Sequence, residues 1–125
     1  MKNYLLTDFN KERWNGINLE TVKEQVEKLN EKLNKIGCLF GEIVNPESLE
    51  TSLKNVSHSI KNLTYLDGNV YGDIIFLNNE SGKKGNDLIS NKKYIFGIRA
   101  VGIFDNEINL RTILTWDIIA PVFVS

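Results

Sequence analysis

The chain has 125 residues, which suits one folded domain with an adequate hydrophobic core. Its 15 basic and 16 acidic side chains give a net charge of −1, which argues against the basic surface typical of nucleic-acid binding. A single cysteine and a single histidine exclude an internal disulfide and argue against zinc, so we expect no metal, no cofactor and a reducing compartment. No long apolar run or signal peptide is evident, so we expect neither membrane insertion nor export.

The first segment, residues 1–16, mixes aromatic and polar side chains without a clear period, and we interpret it as an N-terminal arm. Within it, YLLTDF has the composition of a short edge strand. The arm would either pack on its own domain or dock on a neighbouring subunit. The remaining residues, 17–125, would form a single domain.

A helical stripe follows the arm. Apolar residues recur at alternating spacings of four and three, at Val22, Val26, Leu29, Leu33 and Ile36. Asn18 is placed as an N-cap and Gly37 as the C-terminal stop, which predicts a long helix over LETVKEQVEKLNEKLNKI. The stripe also resembles a coiled-coil seam, but it is short, and packing on a sheet is the favoured interpretation.

The segment CLFGEIVNP reads as a short strand that stops at Pro46, and the polar residues 47–55 as a loop or a pair of helical turns. The next segment, VSHSIKNLTYLDGNVYGDIIFL, is predicted to be a hairpin that turns at Asp67-Gly68-Asn69. His58 lies in its first strand. Because adjacent strand residues face opposite sides, we expect Ser57 and Ser59 to point away from His58, and neither to be its nucleophile.

The rest of the chain predicts a short helix and a second hairpin. NNESGKKG is interpreted as a polar loop, and NDLISN as a short helix capped by Asn86 or Asp87. Between residues 94 and 122, two β-prone runs flank a polar break at 105–107, which predicts a hairpin at the centre of a sheet. The apolar residues 122–124 would pack back on the domain or contact a partner. The fold class is therefore α+β, one domain with a mostly antiparallel, barrel-like sheet, one long N-terminal helix and one short helix.

Three segments, in this order, resemble the prohead (maturation) serine proteases of tailed phages, whose fold is similar to that of herpesvirus assemblin. The first is GEIVNP at 41–46, similar to the family's GELNHP. The second is DGNVYGDIIFL at 67–77. The third is FGIRAVG at 96–102, similar to the family's VSSRGLG, followed by TWDII at 115–119. The resemblance covers roughly residues 17–121 and implies the prohead-protease fold.

Carried over residue by residue, the resemblance implies a degenerate site. Asn45 takes the place of the family's catalytic histidine, and Gly97 and Ile98 take the places of its two serines. Arg99 matches the arginine that helps to form the oxyanion site, and Asp117 matches the family's acidic residue. Without a hydroxyl and a base, a serine protease retains only residual acceleration, so we expect no catalytic residues. Arg99 and Asp117 would instead form a structural ion pair.

The resemblance therefore implies a non-catalytic structural or assembly protein of the phage head that binds capsid or scaffold proteins through a groove or a strand edge. It would form a homo-oligomer, without nucleic acid or membrane as partners. Its location would be the host cytoplasm during assembly or the virion head. Two alternatives remain open: an active protease with a displaced site around His58, and a phage-encoded inhibitor or regulator.

Overall fold

The computed structural model describes residues 1–43, 56–104 and 108–120. Within these ranges the chain is an α+β domain, as predicted. The elements are β1 (Tyr4–Asp8), a 3-10 turn (Glu12–Trp14), α1 (Leu19–Ile36), β2 (Leu39–Glu42), β3 (Val56–Leu66), β4 (Asn69–Phe76), α2 (Glu80–Ser90), β5 (Ile95–Phe104) and β6 (Ile108–Ile119). The predictions for residues 45–55, for the break at 105–107 and for the apolar residues 122–124 lie outside the described residues.

The strands form two antiparallel sheets. Four strands pair in the order β1-β4-β3-β2, and β5 pairs with β6 as a separate hairpin. A parallel bridge between Ile43 and Ile118 brings the chain after β2 beside β6. In the described part of the chain the two sheets do not close into a barrel, so the barrel-like form that we expected is not reached.

Helix α1 follows the prediction at both ends. The Asn18 side chain accepts hydrogen bonds from the backbone N–H groups of Glu20 and Thr21, which caps the first turn. Gly37 ends the helix in a left-handed conformation, with φ of +93°. Four residues of the apolar stripe are buried, namely Val22, Val26, Leu29 and Leu33. The fifth residue of the stripe, Ile36, is the last residue of the helix and is 54% exposed.

The β3–β4 hairpin turns within the predicted segment Asp67-Gly68-Asn69, at its first two residues, since Asn69 already belongs to β4. Asp67 and Gly68 have φ values of +48° and +86°, the pair of left-handed conformations that a two-residue turn needs. The N-terminal arm supports this turn, because Phe9 N–H donates to Gly68 O and the Asn10 side chain donates to Asp67 O. The predicted strand of the arm is β1, which pairs with β4, while Trp14 is buried in the core. This is the arrangement of an arm packed on its own domain.

Helix α2 is longer than the sequence predicts. It begins at Glu80, and its cap is Asn79, whose side chain accepts from Gly82 N–H at 2.6 Å. The prediction of a loop over NNESGKKG and of a cap at residues 86 or 87 was wrong. Glycine disfavours helices in isolation, but Gly82 and Gly85 are buried, and their missing side chains allow α2 to lie close to Leu77 and Ser57.

Candidate functional site

A serine and a histidine meet inside the sheet. Ser57 Oγ lies 2.6 Å from His58 Nδ1, although the two residues are adjacent in β3. The expectation that Ser57 faces away from His58 was therefore wrong. The reason is an irregular register: Gly41 pairs with His58 but Glu42 pairs with Val56, which leaves Ser57 as an extra, bulged residue. A β-bulge interrupts the alternation of side chains and allows two consecutive ones to lie together.

The other ring nitrogen of His58 is also bonded. Nε2 lies 2.8 Å from the carbonyl oxygen of Trp116, an acceptor, so Nε2 carries the proton and Nδ1 accepts from the Ser57 hydroxyl. Burial lowers the pKa of His58 from 6.5, against the opposing effects of the Trp116 carbonyl and of Asp117. The ring is therefore a neutral imidazole in one tautomer at neutral pH.

Gly41 makes room for the imidazole. A Cβ built on Gly41 would overlap His58 Nε2 and the Trp116 carbonyl oxygen, which are the two ends of the hydrogen bond. Any larger residue at position 41 would have to displace the ring or β6. The Gly41 backbone, the His58 ring and the Trp116 carbonyl are thus fitted to one another.

An ion-pair cluster lies next to the imidazole. Arg99 Nε donates to Asp117 Oδ2 at 2.8 Å and Arg99 Nη2 donates to Oδ1 at 2.8 Å, so the pair is bidentate. Arg99 Nη2 also donates to Glu42 Oε1 at 2.8 Å. The ion pair that we expected between Arg99 and Asp117 is present, and Glu42 is a third member that the sequence reasoning missed. Burial lowers the pKa of Arg99, but the bonds and charges of Asp117 and Glu42 outweigh it and raise the pKa overall.

The two clusters form one continuous feature, which we call the polar seam: Ser57, His58, Gly41, Glu42, Arg99 and Asp117. Asp117 also accepts from Glu42 N–H at 3.1 Å, which links β2 to β6 inside the seam. Asp117 is 5% exposed, whereas the Arg99 side chain is 35% exposed. The arginine is therefore the member of the seam that solvent reaches best.

The hydrogen bond between Ser57 and His58 resembles that of a nucleophile and its base, but neither side chain is accessible to solvent or to a substrate. Ser57 and His58 are both 0% exposed. Helix α2 covers the hydroxyl, since a Cβ at Gly85 would lie 3.3 Å from Ser57 Oγ. A general base is useful only when a substrate can come within about 3 Å of the nucleophile. As it stands, the dyad is a satisfied hydrogen-bond network inside the core, without a path for a peptide carbonyl.

The other predicted site residues lie along the β5–β6 hairpin. Gly97 pairs with Asp117, and Ile98 pairs with Trp116. Neither position carries a nucleophile, and a Cβ at Gly97 would collide with the Ile119 side chain. The hairpin register thus brings Gly97, Arg99 and Asp117 to one place, whereas Asn45 lies outside the described residues.

A groove of about 400 Å³ lies between β1 and the β5–β6 hairpin. We call it the strand groove, and its walls are β1 and residues 95–98 of β5. In the described part of the chain, β1 pairs with β4 alone and β5 with β6 alone, so each presents an unpaired edge. The rings of Tyr4 and Phe96 meet edge to face at 5.5 Å, which brings the two strands side by side.

Within the described ranges, no three His, Cys, Asp or Glu side chains are grouped so that they could hold a metal ion. In the same ranges, neither helix combines the length and the apolar character that crossing a membrane would need.

Comparisons with known proteins found no counterpart: the chain matches no protein-family model, no curated protein and no solved structure.

Proposed function

We propose that this chain is a non-enzymatic protein of a tailed-phage head, and that it binds an extended segment of a capsid or scaffold protein in the strand groove. The observation that carries the proposal is the pair of unpaired strand edges that flank the groove. An extended segment that pairs with such an edge gains a row of main-chain hydrogen bonds, while its alternate side chains occupy the groove.

The lining of the strand groove suits such a segment. Leu5 is 45% exposed, and Ile98 and Ile119 are partly exposed in the same groove. Exposed strand edges are usually protected by charge, short length or a covering element. At β1 the edge is short and is held beside β5, so it is open to one added strand rather than to unlimited stacking.

The phage context comes from the resemblance to prohead proteases. In that context the chain keeps Arg99 and Asp117 as an ion pair that joins β5 to β6, while positions 97 and 98 offer no hydroxyl. The partner would then be a capsid or scaffold protein, the chain would work as a homo-oligomer, and its place would be the host cytoplasm during assembly or the virion head.

Peptide binding tests the proposal. Overlapping peptides from the scaffold and capsid proteins of the encoding phage would be titrated in fluorescence anisotropy against the wild type, Leu5→Ser and Leu66→Ser. Leu66 is the matched control, because it is 58% exposed and does not line the groove. We expect Leu5→Ser to weaken binding about fivefold, roughly 1 kcal/mol of lost apolar contact, and Leu66→Ser to leave it unchanged. Absence of binding by every peptide, or equal losses in both variants, would overturn the proposal.

The contact between Ser57 and His58 favours one alternative, a protease that uses this dyad. The intact mass of the chain after treatment with a fluorophosphonate probe distinguishes this protease from the non-enzymatic binding protein. We expect no adduct, because the Ser57 hydroxyl is buried beneath α2. A stoichiometric adduct that is lost in Ser57→Ala would make the chain an enzyme and remove the non-enzymatic proposal.

A further inference from the structure

We propose that the strand groove selects extended segments that carry acidic side chains at one end of an apolar run, with Lys11 and Arg13 as the residues that determine this specificity. The inference rests on the proposed function, since it concerns what the same groove binds. The observation that carries it is the presence of two cations, Lys11 and Arg13, in a groove that apolar side chains of β1, β5 and β6 also line.

The charges that line the groove do not cancel. Lys11 and Arg13 contribute two positive charges and Asp8 contributes one negative charge, which leaves one net positive charge. The Asp8 carboxylate already accepts a hydrogen bond from Asn10 N–H at 2.9 Å. Among the described residues, the ion pairs within 4 Å are those of Arg99, so neither groove cation is neutralised by a neighbouring carboxylate. A ligand carboxylate would supply the missing partner.

Arg13 is held in position before any ligand arrives. Its Cζ atom lies 4.9 Å from the centroid of the Trp14 ring, a cation–π contact, and Trp14 is only 7% exposed. A guanidinium stacked on a fixed ring loses less conformational freedom on binding, and its planar fork suits a carboxylate. Lys11 lies two residues away in sequence, lines the same groove and adds a second positive charge.

The apolar and the charged residues of the groove come from different segments of the chain. Leu5, Ile98 and Ile119 line the stretch between β1 and β5, and Asp8, Lys11 and Arg13 lie beyond the middle of β1 in the chain. A bound strand would place apolar side chains against the first set and its acidic end against the second. Segments without acidic residues would lose the second set of contacts, and segments with lysine there would be repelled.

Four labelled nine-residue peptides test this inference with purified full-length chain. All four have alternating valine and threonine and differ in one pair of residues. The first carries a glutamate pair at the amino end, the second a glutamate pair at the carboxyl end, the third a glutamine pair and the fourth a lysine pair. We expect the better glutamate peptide to bind about threefold to tenfold more tightly than the glutamine peptide at low salt, and the difference to shrink at high salt. The double variant Lys11→Glu/Arg13→Glu should reverse the order and favour the lysine peptide.

The control variant is Lys83→Glu/Lys84→Glu, which makes the same charge change on the exposed face of α2, away from the groove. It should keep the preference for glutamate. If the glutamate and glutamine peptides bind equally, or if both double variants change the preference alike, the acidic selectivity is wrong while peptide binding stands. If none of the four peptides binds but the tiled phage peptides do, the selectivity is equally overturned. If neither set binds, the proposed function itself fails.

Discussion

The polar seam and the strand groove share the β5–β6 hairpin and differ in what reaches them. The seam contains a hydroxyl 2.6 Å from an imidazole, the bonding that nucleophilic catalysis uses, but both groups are fully buried. The groove is open and is lined mainly by strand edges and apolar side chains. In this chain the reactive side chains form a buried hydrogen-bond network, whereas the accessible groove is the surface that we propose binds a peptide. Substitutions in the seam should therefore lower the stability of the fold, whereas substitutions in the groove should weaken peptide binding and change stability little.

The largest effect on stability is expected from Gly41→Ala in the seam. The new methyl group would overlap the His58 ring and the Trp116 carbonyl, so the hydrogen bond between them must break or β2 must move. We expect a loss of about 3 kcal/mol or more in the free energy of unfolding, measured by urea denaturation. The neighbouring Phe40→Ala is the control, because Phe40 is 56% exposed and should cost far less. Equal losses in the two variants would show that the close fit around Gly41 is not what matters.

Asp117→Asn is expected to have the next largest effect. It would leave the Arg99 guanidinium with Glu42 as its one carboxylate partner, at a site where Asp117 is 5% exposed. Breaking a buried pair costs about 3–5 kcal/mol, and partial exposure of Arg99 reduces this to about 2 kcal/mol. Asp87→Asn, on the exposed side of α2, should change the urea midpoint little. If Asp117→Asn lowers the free energy of unfolding no more than Asp87→Asn does, the ion pair between Arg99 and Asp117 does not stabilise the fold.

A dependence of stability on pH should arise from His58. Its folded pKa is lowered by burial, so the unfolded chain binds the proton more tightly. Stability is then fully present above pH 6.5 and is lost as the pH falls below that value, with a slope of at most about 1.4 kcal/mol per pH unit. Because the chain has one histidine, His58→Gln should flatten the urea midpoint between pH 7.5 and 5.5. If the urea midpoint of the wild type is as independent of pH as that of His58→Gln, protonation of His58 does not destabilise the folded chain.

The smallest effect on stability is expected in the groove. Leu5→Ser removes a side chain that is 45% exposed in the folded chain, so the free energy of unfolding should fall by less than about 0.5 kcal/mol. The same variant should weaken peptide binding. A large loss of stability in Leu5→Ser, measured in the same urea series, would show that the groove wall is a structural element and would weaken the contrast with the seam.

Local patterns in the sequence predicted the parts of the fold that depend on local physics. The stripe from Val22 to Leu33 and the caps at Asn18 and Gly37 determine α1, because periodicity and capping act within one helix. The start of α2 was missed, because the cap at Asn79 and the buried Gly85 are favoured only once the helix packs on the sheet.

The candidate site was predicted in part for the same reason. The Arg99–Asp117 pair follows from two strands that form one hairpin, and this was anticipated. Glu42 joins the pair from 57 positions away in sequence, and no local pattern indicates such a contact. Ser57 was assigned to the wrong face, because a bulge depends on how β3 pairs with β2 and not on β3 alone.

β1 forms one wall of the strand groove. β1 precedes the other described strands in sequence, yet its backbone partner is β4, which follows much later in the chain. The hydrogen bond from Trp116 Nε1 to Thr7 Oγ1 ties it to a still later strand. The proposed binding surface is therefore completed only after β6 has been made and has folded against β1. Any ligand of the groove must also hold β1 in place, and its affinity should appear as slower amide hydrogen exchange in the first eight residues.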